Sequence, residues 1–204
     1  MAAQADFPDG EKSLADLSDD DLMALYCDGT PEAFDLLFGR WATPVYNFAR
    51  MLTGDDGQAE DILQETFLSV VQAAHRYQPR GRFSCWLMRI VRNKCLNRIE
   101  SERLRRETTV ALRSNSSDPV SPEPEPVEHL EIDEGMDSLR AAISRLPARQ
   151  REAIVLYGME QMSYEKIALT LEVPVNTVKT LIHRARATLA QTVDREDEGN
   201  KDAV

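Results

Sequence analysis

The sequence predicts an all-α fold, in which two small helical domains are joined by a flexible acidic linker. Three observations carry this reading. Apolar residues recur at intervals of three and four, as in Phe34, Leu37, Phe38, Trp41, Val45, Phe48, Ala49 and Leu52. No segment alternates apolar and polar with the period of a strand. Residues 107–137, ETTVALRSNSSDPVSPEPEPVEHLEIDEGMD, are rich in Ser, Pro and Glu and have little apolar periodicity, which reads as an extended, self-repelling linker. A chain of 204 residues is long enough for two such cores.

The elements follow in order. Ser18 ahead of Asp19, Asp20 and Asp21 is a helix cap with acids in the first turn, and it starts a short helix through Tyr26. Thr30 and Pro31 give a second start, with Thr30 as the cap and Pro31 at the first helical position. Thr53-Gly54-Asp55-Asp56-Gly57 breaks the chain, and a third helix runs from Gln58 to Ala74. Gln78-Pro79-Arg80-Gly81 is a loop, after which Ser84 is the expected cap of a long helix from Cys85 to Arg106. Beyond the linker, one helix covers Met136–Leu146 and a second is opened by Pro147 and reaches Tyr157. A third is capped by Ser163 and reaches Leu171, and the last is led in by Pro174 and Val175 and reaches Asp194. The segments are therefore an acidic tail (1–17), a domain (18–106), an acidic Pro/Ser-rich linker (107–135), a second domain (136–193) and an acidic tail (194–204).

Composition excludes several classes. No apolar run approaches a membrane span, and the acidic N-terminus has no apolar signal region, so the chain is expected in the cytoplasm, with no membrane insertion of its own. Cys27, Cys85 and Cys95 lack C-x-x-C spacing and His75, His129 and His183 are isolated. Buried reduced thiols are expected, with no metal and no cofactor. There is no Walker loop, G-x-G-x-x-G or G-x-S-x-G, and nothing argues for catalysis. The formal net charge of −11 is unevenly spread. Residues 76–106 carry ten cations against two acids, and 138–191 carry eight against four. Charges are screened beyond roughly 8 Å at physiological salt, so these two segments attract phosphate whatever the total.

Three segments carry candidate chemistry. Ser163–Leu189 has the layout of a helix-turn-helix, whose second helix lies in the DNA major groove. On that helix Val178, Ile182, Ala185 and Leu189 form one apolar stripe, while Thr177, Thr180, His183 and Arg184 lie on or near the opposite face with Lys179 at its margin. The second segment starts with Arg76-Tyr77-Gln78-Pro79-Arg80-Gly81-Arg82-Phe83, which interleaves cations with aromatics ahead of a helix carrying Trp86, Arg89, Arg92 and Asn93. Rings with positive charge suit unstacked bases or a flipped one, and Tyr77, Phe83 and Trp86 fit plain core packing as well. The third is Ala59-Glu60-Asp61-Ile62-Leu63-Gln64-Glu65, where Asp61, Gln64 and Glu65 share a helical face that can dock a protein or simply favour the helix start.

AEDILQETF, GRFSCWLMRIVRNKCLNRI and LPARQREAIVLYGMEQMSYEKIALTLEVPVNTVKTLIHRARATL together resemble the bacterial RNA polymerase sigma factors of the sigma-70 family, in the extracytoplasmic function (ECF) group. The resemblance covers 18–106 and 136–191 and implies a region 2 helical bundle and a region 4 helix-turn-helix. It implies that Asp61, Gln64 and Glu65 contact core RNA polymerase. Tyr77, Arg80, Arg82, Phe83, Ser84, Trp86, Arg89, Arg92 and Asn93 would serve the minus-ten promoter element, and Thr177, Lys179, Thr180, His183 and Arg184 the minus-thirty-five element. Core polymerase, promoter DNA and an anti-sigma factor are the implied partners. The recognition helix departs from the family pattern: Asn176 replaces Gly, Thr180 replaces Ser, and Leu181 stands where Arg is usual. Leu181 therefore either packs or touches a thymine methyl. The acidic linker either occupies a nucleic-acid channel of the polymerase or is a solvated spacer. A sigma-like decoy that sequesters an anti-sigma factor is the alternative function, and a one-domain repressor leaves the acidic helix and the first basic segment unexplained.

Overall fold

The computed structural model describes residues 13–78, 81–113, 134–158 and 160–201. Eight α-helices and no strand occur among them. The first four are α1 (Asp19–Cys27), α2 (Pro31–Thr53), α3 (Asp56–Ala73) and α4 (Phe83–Arg113), and the second four are α5 (Glu134–Ser144), α6 (Ala148–Gly158), α7 (Tyr164–Leu171) and α8 (Val175–Lys201). The expected linker interior and the N-terminal residues 1–12 lie outside the described residues.

Local signals place most helix starts. The Ser18 hydroxyl accepts the Asp21 amide, the Asp55 carboxylate accepts that of Gln58, and the Ser163 hydroxyl accepts that of Lys166. Thr30 precedes Pro31 but its side chain makes no capping bond. Gly54 ends α2 at φ 76°, a left-handed conformation that glycine adopts without strain. Glu172 closes α7 in the same region at φ 57°, where a side chain is less comfortable.

Several expected boundaries move. The fourth helix begins at Phe83, so Ser84 lies inside its first turn and does not cap it; the side chain at its start is a carboxylate from α1, described below. The helix also runs on to Arg113, well into the segment expected to be linker. Its charges explain the extension: Arg103 lies 3.0 Å from Glu100 and 3.8 Å from Glu107, and Arg106 lies 3.8 Å from Glu102, all at helical spacing. Charge pairing at helical spacing supports the helix through Glu107, where apolar periodicity has stopped. α8 likewise continues past Asp194 to Lys201.

Leu22, Leu37, Phe48, Ile62, Phe83, Leu87 and Met88 fill the core of the first half. Leu146, Leu156, Ile167, Leu171, Val178 and Ile182 fill that of the second. The halves touch: α4 packs on α7, and α2 on α5 and α6. Cys85 and Cys95 are buried, and burial pushes the Cys95 thiol up to about 12. Cys27 is exposed, contrary to the expectation of three buried thiols; it sits at the last turn of a short helix whose other side is packed.

Candidate nucleic-acid and polymerase interfaces

On α3, Asp61, Gln64 and Glu65 are all exposed on one face. They lie against cations of α4: Arg98 is 3.3 Å from Asp61 and 3.1 Å from Glu65, and Lys94 is 3.4 Å from Glu65. Asp61 keeps 60% of its side chain exposed and Glu65 48%, so these are surface pairs worth about 0–1 kcal/mol each and readily exchanged for a partner's cations. Lys94 and Arg98 were not singled out from sequence, because only the packing of α3 on α4 puts them there.

On α8, Thr177, Lys179, Thr180, His183 and Arg184 are exposed, and Val178, Ile182 and Ala185 are buried beneath them. Amides of Thr177 and Val178 reach the Pro174 carbonyl, at 2.9 and 3.3 Å, which begins the helix directly after the turn. Leu181 packs partly buried against the core, which answers the question its substitution raised. Thr180 donates its hydroxyl to the Asn176 carbonyl, leaving its oxygen lone pairs outward. Arg186 lies over the Tyr157 ring at 4.8 Å.

The first basic segment is partly folded into the protein. Arg80 lies outside the described residues. Arg82 and Asn93 are exposed, whereas Phe83 is 1% exposed and Ser84 9%. Tyr77, Phe83 and Trp86 form one aromatic cluster, with ring centroids 4.9 to 5.9 Å apart, and Trp41 meets Phe83 at 6.3 Å. The rings therefore pack as core, with Tyr77 and Trp86 partly open on a cleft that also holds Arg76, Arg82, Arg89 and Leu169. Burial, with the Asp20 carboxylate beside it, raises the Tyr77 phenol well above its ordinary range.

Arg89 and Arg92 face the second half of the molecule. Arg89 donates to the Leu169 carbonyl at 2.6 Å and lies 3.2 Å from Glu172. Arg92 donates to Glu152 of α6 at 2.7 Å, and both side chains are buried, at 10% and 3% exposure. Arg151 donates to the Leu52 carbonyl of α2 at 3.2 Å and also to the Ser144 and Leu146 carbonyls. An exposed acidic face on α3 and an exposed basic row on α8 thus accompany a further basic segment whose Arg89 and Arg92 are engaged by α6 and α7 while Arg82 and Asn93 stay exposed.

Family comparison agrees in both halves. Residues 37–105 match the model for sigma-70 region 2, and residues 136–189 that for sigma-70 region 4. The ECF RNA polymerase sigma factor SigE of Mycolicibacterium smegmatis is 37% identical over 77% of this chain, which spans 60% of that protein's length. The ECF RNA polymerase sigma factor EcfG of Rhodopseudomonas palustris is 35% identical over 77% of this chain and 84% of its own. The chain belongs to the ECF group of sigma-70 family sigma factors.

A sigma factor is the subunit that gives core RNA polymerase its promoter specificity, and the family is not one of enzymes. Among solved structures this sigma factor resembles CnrH in complex with the cytosolic domain of CnrY, with a TM-score of 0.66, 25% identity, and coverage of 87% of this chain and 97% of that one. Among the described residues no helix of this sigma factor is long and apolar enough to cross a membrane.

The functional partners that sequence reasoning missed share one property. Asp20, Glu152, Leu169 and Glu172 each act on a residue more than fifty positions away, and no local pattern announces that. Glu160, in the turn between α6 and α7, was missed because packing alone sets its burial, which pushes its carboxyl up to about 7. The folded chain therefore holds this proton to higher pH than the unfolded chain, so the associated stability is full below the ordinary carboxylate range and lost as pH rises through about 7. Glu160→Gln is expected to raise the melting temperature at about pH 9 and leave it unchanged at about pH 4. Equal shifts at both pH values, measured by calorimetry, would contradict this origin.

Proposed function

We propose that this sigma factor brings core RNA polymerase to a restricted set of promoters with 18–106 and 136–193 as its two working segments, and that it has no catalysis of its own. Asp61, Gln64 and Glu65 dock on the polymerase. Tyr77, Arg80, Arg82, Trp86, Arg89, Arg92 and Asn93 serve the minus-ten element, with Phe83 and Ser84 supporting them from the core. Thr177, Lys179, Thr180, His183 and Arg184 read the minus-thirty-five element. The protein acts in the cytoplasm. The observation that carries this reading is the exposed row on α8 above a buried apolar stripe, together with a separate exposed acidic face on α3.

The closed packing of the two halves adds a condition. Arg89 and Arg92 are committed to α6 and α7, so minus-ten contacts by these side chains require the halves to part. An anti-sigma factor that binds the closed form would hold the chain inactive; CnrH, which this chain resembles, is likewise seen in complex with another protein, the cytosolic domain of CnrY. A decoy that only captures an anti-sigma factor has no use for an exposed Lys179, His183 and Arg184, so promoter binding is preferred.

Run-off transcription with purified core polymerase on genomic fragments tests the proposal; specific transcripts are expected, and their absence together with tight anti-sigma capture would support the decoy. Asp61→Lys combined with Glu65→Lys is expected to weaken core capture at least tenfold in a pull-down, because it sets like charges against the partner's cations. The same variant should leave the affinity of the second half for DNA unchanged, and a loss of both would mean a folding defect.

A further inference from the structure

We infer that Asp20 is a positioning residue for promoter opening, acting through the start of α4 and its aromatic cluster. The inference rests on the reading of that segment as the minus-ten surface. Ser18-Asp19-Asp20-Asp21 looks like one helix cap, yet its acids have three separate tasks. Asp21 receives the Ser18 hydroxyl at 2.6 Å. Asp19 receives Arg40 at 2.8 Å and the Trp41 indole at 3.0 Å, tying α1 to α2. Asp20 turns to the first basic segment.

Its carboxylate accepts the Tyr77 hydroxyl at 2.6 Å, the Phe83 amide at 3.2 Å and the Arg82 amide at 3.4 Å. One side chain thereby holds the residue that enters the cationic loop and the two that leave it. The two amides are among the unpaired donors at the beginning of α4, and a carboxylate there is favoured by the helix dipole as well. Ser84 falls one place inside the helix, and it is the Asp20 carboxylate that takes the Phe83 amide at the helix start. Tyr77, held by its hydroxyl, meets the Trp86 ring at 4.9 Å and a tilt of 53°, and Phe83 packs against both. Asp20 is itself none of the residues assigned to DNA, but it bonds three that are. It sets where Tyr77, Arg82 and Trp86 stand when DNA arrives.

The test uses the full chain with core polymerase and compares Asp20→Ala, Asp20→Asn and Arg82→Ala. Opening is followed by permanganate reactivity of unpaired thymines on a duplex promoter, and transcription is followed on a template already unpaired over the minus-ten element. For Asp20→Ala, opening of the duplex is expected to slow roughly tenfold or more, the scale of a lost charge-assisted hydrogen bond. Core capture and transcription from the unpaired template should stay near wild type. Asp20→Asn keeps an acceptor oxygen without the charge and should recover part of the rate. Equal loss on both templates, or of core capture as well, would make Asp20 merely structural and overturn the inference. Slowed opening by Arg82→Ala with normal opening by both Asp20 variants would also overturn it. Normal opening by Arg82→Ala would instead remove the minus-ten reading beneath it.

Discussion

Replacing Glu152 with Ala is expected to open the molecule. The Arg92–Glu152 pair is buried on both sides, with a 2.7 Å contact, and it joins α4 to α6. Taking one partner from such a pair strands the other charge, which costs about 3–5 kcal/mol. A second charged bridge, Arg89–Glu172, leaves 41% and 66% of its side chains exposed and counts for little beside it. Once the halves part, Arg92 is hydrated and loses nothing further, so most of the cost falls on closure. A shift of that size changes the closed-to-open ratio by roughly two to three orders of magnitude. Energy transfer between dyes at the exposed positions Gln72 and Ala190 should fall in Glu152→Ala, and unchanged transfer would refute the role of the pair. Arg92→Met with Glu152→Leu should restore closure, since an apolar pair of similar volume carries no stranded charge. With core polymerase present, the opened Glu152→Ala chain should bind promoter DNA faster.

Replacing Ile182 with Ala should disable the second DNA reader without altering any exposed residue on it. Ile182 is 2% exposed and sits in the stripe that seats α8 on the core of the second half. The cavity left behind is expected to cost about 2–5 kcal/mol, a large share of what a small helical unit has to spare. Minus-thirty-five binding should be lost together with the thermal transition of the second half. Arg184→Ala supplies the contrast: an exposed side chain, so binding should weaken by about 1–3 kcal/mol with the melting temperature nearly unchanged. If Ile182→Ala keeps its DNA affinity, the buried stripe does not place the reading helix.

Much of the fold was legible because its signals are local. Ser18 and Ser163 cap helices by bonds to amides three residues on, and the stripe Val178–Ile182–Ala185 repeats with the turn of the helix. The exposed rows on α3 and α8 follow from the same periodicity. The end of α4 was not legible, because from Glu100 to Glu107 charge pairing takes over from apolar spacing and the helix continues past it to Arg113. Leu181 was ambiguous for a different reason: it sits at the edge of a stripe, and only the packed neighbour decides on which side it falls.

The sequence by itself determined the helices, the two basic segments and the acidic face between them, since each depends on residues within a turn or two of one another. Tertiary structure alone decided that Phe83 is core, that Asp20 holds the start of α4, and that Arg92 spends its charge on Glu152. A carboxylate or a guanidinium has the same local signature whether its partner is water, DNA or a side chain sixty residues away. Which of these it meets is set by how the helices pack, and desolvation then makes the chosen partner matter.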